Sequence, residues 1–175
     1  MKTLIVYATT DGQTRKIARF FADYLIENDH SVELLCAADA TLLDLRRYDR
    51  VVLAGSLHAG GFQNDLKKLA KSHAVQLQEQ GAIFFAVSLS AAGRDEEDWK
   101  GHRKCIAQFE VKSGWTPARV VHVAGAFRFS EYDFFRARAM RRIAAERDET
   151  VDTDCDKEYT DWSALKSEMD QLMTP

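Results

Sequence analysis

Near its N-terminus the chain reads Thr9-Thr10-Asp11-Gly12-Gln13-Thr14, three hydroxyls and a glycine within one short run. Hydroxyls and bare main-chain amides are neutral donors, and glycine lets the backbone close on a ligand, so this run suits the grip of an anion such as a phosphate. Before it, Met1 to Ala8 (MKTLIVYA) is rich in β-branched and aromatic residues, as a buried strand is. After it, Ile17, Ala18, Phe21, Tyr24 and Leu25 recur at helical spacing. The run therefore falls at a helix N-terminus, where unpaired N–H groups and the positive dipole end attract negative charge. An ordinary capped strand-to-helix connection uses the same residue types, and the turn alone does not separate the two readings.

Two later runs are also rich in small or hydroxyl residues: Ser56-Leu57-His58-Ala59-Gly60-Gly61-Phe62 and Ser88-Leu89-Ser90-Ala91-Ala92-Gly93. The first offers backbone donors, with His58 and Phe62 as neighbours for a ring. The second offers backbone groups that can meet the edge of a flat heterocycle. A plainer reading makes His58 a solvated loop histidine and Phe62 a core anchor for the helix behind it.

The elements that must position these runs alternate along the chain. Ser31 to Cys36, Arg50 to Ser56, Ala82 to Leu89 and Arg119 to Phe127 read as further strands. Between them, Phe62, Leu66, Leu69, Ala70 and His73 share one helical face, and Trp99, Ile106 and Phe109 mark another helix. Trp162, Leu165, Met169 and Leu172 form the stripe of a closing helix capped by Thr160 or Asp161. Five strand–helix units predict an α/β domain built on an open parallel sheet with helices on both faces. Such sheets bind ligands at the carboxyl ends of their strands.

Composition narrows the function classes. A chain of 175 residues with 46% hydrophobic content is sized for one domain with a real core, here residues 1–175. A net charge of −3 gives no bulk electrostatic case for nucleic acid. Cys36, Cys105 and Cys155 are odd in number and widely spaced, which predicts reduced thiols rather than a disulfide framework or metal ligands. One lysine and a strand-like run before Asp11 predict no signal peptide. The apolar stretch Ala82 to Ala92 falls short of the roughly 18 residues a spanning helix needs, so any membrane contact is expected to be peripheral. The first turn lacks the Lys of a P-loop, and neither G-x-G-x-x-G, H-E-x-x-H nor G-x-S-x-G occurs. Asp152-x-Asp154-x-Asp156 fails as a calcium loop because Lys157 stands at position six and Ser163 at position twelve, so no metal is expected.

Between the fifth strand and the last helix lie roughly thirty residues, far more than the usual connection of about 2–6. This insertion, at about 128–158, begins with Arg128, Arg136, Arg138, Arg141, Arg142 and Arg147 interleaved with Phe129, Tyr132, Phe134, Phe135, Met140 and Ile143. The pattern predicts a basic amphipathic helix suited to an anionic surface or a carboxylate-bearing ligand. Pairing of the arginines with the acidic run Asp148, Glu149, Asp152, Asp154 and Asp156 is the alternative, and the two are compatible.

The first turn resembles the T-x-T-G-x-T phosphate loop of flavodoxins, with Asp11 at the third position. Nearly end to end, the chain further resembles the flavodoxin-like, menaquinone-dependent protoporphyrinogen IX dehydrogenases of bacterial haem synthesis. The resemblance rests on Thr10-Asp11-Gly12-Gln13-Thr14-Arg15, Tyr48-Asp49-Arg50-Val51-Val52 and Trp115-Thr116-Pro117. Ala124-Gly125-Ala126-Phe127-Arg128-Phe129, the arginine-rich insertion and Tyr159-Thr160-Asp161-Trp162 complete it. The chain departs from the family pattern at Ala59 and Gly60-Gly61, where aromatic residues often face the flavin, and at Glu146-Arg147-Asp148-Glu149, which is acidic for a membrane-docking segment.

The resemblance implies a flavodoxin-like three-layer sandwich whose five-stranded parallel sheet runs in the order 2-1-3-4-5. In that order the three runs converge. It implies flavin mononucleotide (FMN) as cofactor, with Thr9, Thr10, Asp11, Gly12, Gln13 and Thr14 around its phosphate. Ser56, Leu57, His58, Ala59 and Gly60, with Ser88, Leu89, Ser90, Ala91 and Gly93, would complete the cofactor-binding set. It implies oxidation of protoporphyrinogen IX to protoporphyrin IX, with electrons passed to menaquinone or ubiquinone. The protein would then be cytoplasmic and peripheral on the inner face of the bacterial inner membrane, against an anionic lipid surface. Substrate propionates are anionic, so Arg128, Arg136 and Arg138 are the expected substrate-binding residues. No catalytic acid or base is legible, and the oligomeric state, a homo-oligomer included, is left open. A flavodoxin-type electron carrier and an NAD(P)H-quinone reductase are the alternatives on the same fold. Carriers usually present an acidic face to their partners, which the arginine-rich segment does not match.

Overall fold

The computed structural model describes residues 1–40, 43–93, 95–127 and 157–173. Its centre is a five-stranded sheet in the order β2-β1-β3-β4-β5, all parallel. The strands are β1 (Lys2–Ala8), β2 (Ser31–Cys36), β3 (Arg50–Ser56), β4 (Ile83–Ser88) and β5 (Arg119–Ala124). The order is the one expected. Parallel strands need crossovers, and the sequence supplies them as helices α1 (Gln13–Glu27), α2 (Asn64–Ser72), α3 (Ala74–Glu79) and α4 (Glu96–Ser113), with α5 (Trp162–Met173) closing the fold.

Because side chains alternate across a strand, the sheet feeds two cores. On one face Leu4, Val6, Val51, Leu53, Phe84 and Ala86 meet Leu66 and Leu69 of α2 and Ile106 and Phe109 of α4. On the other, Ile5, Val52, Ala54, Phe85, Val87, Val121 and Val123 meet Ile17, Phe21 and Leu25 of α1 and Leu165, Met169 and Leu172 of α5. The three layers follow directly. Phe84 stacks on Phe109 with ring centroids 4.9 Å apart, and Phe62 packs edge-on to both at 5.0 and 5.3 Å. Phe62 is therefore a core anchor and not a ring neighbour of a ligand.

Three expected boundaries move. The fifth strand ends at Ala124 instead of Phe127: Gly125 N–H makes the last bond to β4, at Ser88 O (3.0 Å), and Ala126–Phe127 (β6) pairs antiparallel with Lys157–Glu158 (β7). Strand β4 stops at Ser88, so Leu89 belongs to the following turn. The helical stretch behind Phe62 breaks at His73, whose backbone (φ −116°, ψ 17°) leaves the helical region. At α5 the cap is Asp161, whose Oδ1 accepts from the N–H groups of Ser163 and Ala164 at 3.0 and 2.9 Å. Polar contacts fix this helix to the rest: Tyr24 donates to Asp170, Arg119 pairs with Glu168 at 2.5 Å, and Arg50 donates to Leu172 O at 2.5 Å.

Edge strand β5 is held to α4 by a histidine pair. His102 Nε2 and His122 Nδ1 lie 2.8 Å apart, and the Trp99 ring stands edge-on to both imidazoles. His102 is 1% exposed and its Nδ1 has no partner. Burial pushes its pKa down to about 4, and His122 and the Arg103 guanidinium push the same way. His122 is lowered too, chiefly by burial and then by Arg103.

Two measurements check this packing. Phe84→Ala is expected to lower the free energy of unfolding by about 3–5 kcal/mol, whereas Val111→Ala, at a side chain 84% exposed, changes it by less than about 0.5 kcal/mol in urea titration. Because the folded pKa of His102 lies below its unfolded value near 6.5, the unfolded chain binds more protons between about pH 4 and pH 6.5. Stability is expected to be complete above that window and to fall as pH drops through it. His102→Gln should flatten the slope in thermal unfolding at stepped pH.

Candidate functional site

The run at residues 9–14 follows the carboxyl end of interior strand β1 and opens α1. Gly12 is the residue before the helix and adopts φ 88°, a left-handed conformation that glycine takes at little cost. Its N–H donates to Thr9 Oγ1 at 2.9 Å, and its carbonyl accepts from Lys16 N–H at 3.1 Å, starting the helical ladder. Gly12, at the cap position, has no side chain with which to cap the helix. Thr14 is fully buried, and its hydroxyl has no hydrogen-bond partner in the protein. A buried polar group without a partner costs about 1–3 kcal/mol. A positive helix end, a glycine at its cap position and a buried hydroxyl without a protein partner are the features by which a helix N-terminus can receive a small anion through neutral donors.

The second run stands beside the first because β1 and β3 are neighbours, Ala8 lying opposite Gly55. Ser56 is half-buried at the end of β3, and Leu57 N–H donates to Val87 O at 2.8 Å, tying this turn to β4. His58 and Gly61 then exchange backbone hydrogen bonds of 2.9 and 3.0 Å around Ala59 and Gly60. Both central residues have positive φ, 47° and 81°, as the tightest two-residue reversals require. His58, Ala59 and Gly60 are exposed. The third run is a compact turn: Ser88 Oγ accepts from Ala91 N–H at 3.2 Å, a 3-10 turn covers Ser90–Ala92, and Trp99 Nε1 donates to Gly93 O at 2.9 Å. Leu89 stays exposed.

One residue joins the first two runs, and the sequence reading passed over it. Gln63 Nε2 donates to Ser56 Oγ at 2.6 Å and to Thr10 Oγ1 at 3.1 Å. A glutamine just before α2 looks like an indifferent start to a helix. Its only sequence signal is the absence of a Ser, Thr, Asp or Asn there, since its side chain does not cap that helix.

The segment after residue 156 is fastened to the same helix end. Gln13 Nε2 donates to Thr160 Oγ1 at 2.8 Å, and that hydroxyl donates to Ala124 O at 2.7 Å. Lys16 pairs with Glu158 at 2.6 Å and lies over the Trp162 ring, while Trp162 Nε1 donates to Glu158 at 2.6 Å. Burial alone would raise the Glu158 carboxyl, but these two donors hold it below the usual carboxylate range. The Tyr159-Thr160-Asp161-Trp162 segment thus serves as a latch on α1.

Among the described residues, no three His, Cys, Asp or Glu side chains gather as a metal site, and no helix is long and apolar enough to cross a membrane. Arg128, Arg136 and Arg138, with the rest of the arginine-rich insertion and the acidic run to Asp156, lie outside the described residues.

Residues 4–154 match the family model of the flavodoxin domain. The chain is 30% identical over 165 residues to the protoporphyrinogen IX dehydrogenase [quinone] of Escherichia coli K12, covering 94% of this chain and 91% of that one. It is also 30% identical over 169 residues to a protein of the same name from Leishmania major, covering 94% of this chain and 71% of that one. Among solved structures, a cysteine-to-serine variant of the Pseudomonas aeruginosa flavodoxin superposes with a TM-score of 0.51 at 16% identity, covering 83% of this chain and 95% of that one, a likeness of fold. The chain belongs to the flavodoxin-domain family, and within it to the group of flavodoxin-like protoporphyrinogen IX dehydrogenases.

Proposed function

We propose that this protein uses FMN to oxidise protoporphyrinogen IX to protoporphyrin IX in haem biosynthesis and passes the electrons to a membrane quinone. The observation that carries the cofactor is the buried, partnerless Thr14 hydroxyl beneath an uncapped helix end. The kinship with protoporphyrinogen IX dehydrogenases over 94% of the chain supports the substrate and the acceptor. Bound FMN supplies two-electron redox exchange at its ring, and the protein's part is to bind, orient and shield it.

Thr14 and the first amides of α1 would hold the phosphate without a cationic side chain, since residues 9–14 contain no Lys or Arg. Leu57 to Gly60 and Leu89 to Gly93 would flank the ring with backbone groups, Ala59 and Gly60 leaving one face open to a macrocycle. The arginines at 128, 136 and 138 would meet the substrate's propionates, and the same basic segment would bring the protein to an anionic membrane surface where quinone is available.

Thr14→Val keeps the shape of the side chain and removes its donor. It is expected to weaken FMN binding by about tenfold while leaving riboflavin affinity unchanged, read from flavin fluorescence quenching. With FMN-loaded protein, protoporphyrinogen IX and a menaquinone analogue are expected to yield porphyrin fluorescence above the spontaneous rate. No increase would overturn the enzymatic reading in favour of an electron carrier, and consumption of NAD(P)H with quinone would favour a reductase. Replacing Arg136, Arg138, Arg141 and Arg142 by Gln is expected to raise KM or abolish quinone-linked turnover with flavin still bound, and unchanged turnover would remove the insertion from substrate or membrane binding.

A further inference from the structure

We infer that Gln63 is a positioning residue that aims the hydroxyl protons of Thr10 and Ser56 at the bound phosphate, and so sets the preference for FMN over flavins without a phosphate. This rests on the FMN reading above.

A hydroxyl has one proton and two lone pairs. Both the Thr10 and Ser56 hydroxyls accept from the same Gln63 Nε2, at 3.1 and 2.6 Å. Each therefore has its proton directed away from Gln63, and an anion between the turns is the acceptor that placement suits. The other end of the amide could not substitute without reversing this polarity: an oxygen facing the hydroxyls would draw both protons inward. Gln63 Oε1 instead points at β3, 3.7 Å from where a Cβ on Gly55 would stand, buried and without a partner. The amide thus spends its donor on the two hydroxyls and leaves its acceptor unsatisfied. It also forgoes capping its own helix. These two local costs are explained if the donor is needed where it stands. The two hydroxyls come from turns that follow neighbouring strands β1 and β3, so one side chain fixes both relative to each other.

The test titrates flavin-stripped protein with FMN and, separately, with riboflavin, for wild type and the variants Gln63→Glu, Gln63→Met and Ser56→Ala. Wild type is expected to prefer FMN. Gln63→Glu puts an acceptor where the donor stood and is expected to lose about tenfold or more in FMN affinity, with riboflavin binding within about twofold of wild type. Gln63→Met carries no charge and fills similar space, and an FMN-selective loss of about fivefold is expected. Ser56→Ala, with Gln63 intact, should reproduce that selective loss. Parallel weakening of both flavins would make Gln63 a structural brace and overturn the inference. So would a loss confined to Gln63→Glu, which would mark simple charge repulsion. Wild type that binds FMN no better than riboflavin would instead overturn the phosphate reading itself.

Discussion

The organisation of this protein turns on a helix end that starts from a glycine and covers a buried hydroxyl with no protein partner. Helix α1 begins at Gly12 with no side-chain cap, and the fully buried Thr14 hydroxyl behind it has no partner. A soluble domain ordinarily closes such an end with Ser, Thr, Asp or Asn at the preceding position, a gain of about 1 kcal/mol. Here the preceding position is a glycine with φ 88°, and the nearest threonine, Thr9, serves to shape the turn by accepting from Gly12 N–H. This helix end stands at the carboxyl end of interior strand β1, the side of the sheet on which open parallel sheets bind their ligands.

Much of the surrounding structure holds that end in position. Core residues Ile17, Phe21 and Leu25 seat α1 on the sheet, so the helix cannot shift to relieve its own unpaired amides. Gln63 spans the turns after β1 and β3. Gln13, Lys16 and Trp162 secure the opposite side through Thr160 and Glu158. The last of these is a surface ion pair, worth little alone, but it is reinforced by an indole donor and a lysine lying over the same ring. The latch also adjoins β6 and β7, where Phe127 pairs with Lys157.

The architecture was legible because its signals are local and repeated. A short apolar run rich in β-branched and aromatic residues, such as Ile83–Ser88, reads as a strand buried on both faces, and a helical stripe such as Leu165, Met169 and Leu172 reads as the core-facing side of a helix. The errors arose where a local pattern continued past a tertiary event. Arg119 to Phe127 reads as one strand, yet its neighbour β4 stops at Ser88, the last ladder bond is Gly125 N–H to Ser88 O, and Ala126 and Phe127 pair with Lys157 and Glu158 instead. Phe62 reads equally well as a ring neighbour or as a core residue, and only the positions of Phe84 and Phe109 decide between them.

Residue order alone therefore determined the strand–helix alternation, the glycine and hydroxyls of the first turn, and the kinship carried by residues spread along the chain, because each is written in contiguous residues with a fixed period or spacing. Relations between distant residues came instead from the folded chain: the pairing of His102 with His122, the latch from Gln13 to Thr160, and the bridge of Gln63 to Thr10 and Ser56. Such bonds join side chains brought within about 3 Å by the crossing of separate elements, and a hydrogen bond depends on that distance and angle, which no spacing along the chain encodes.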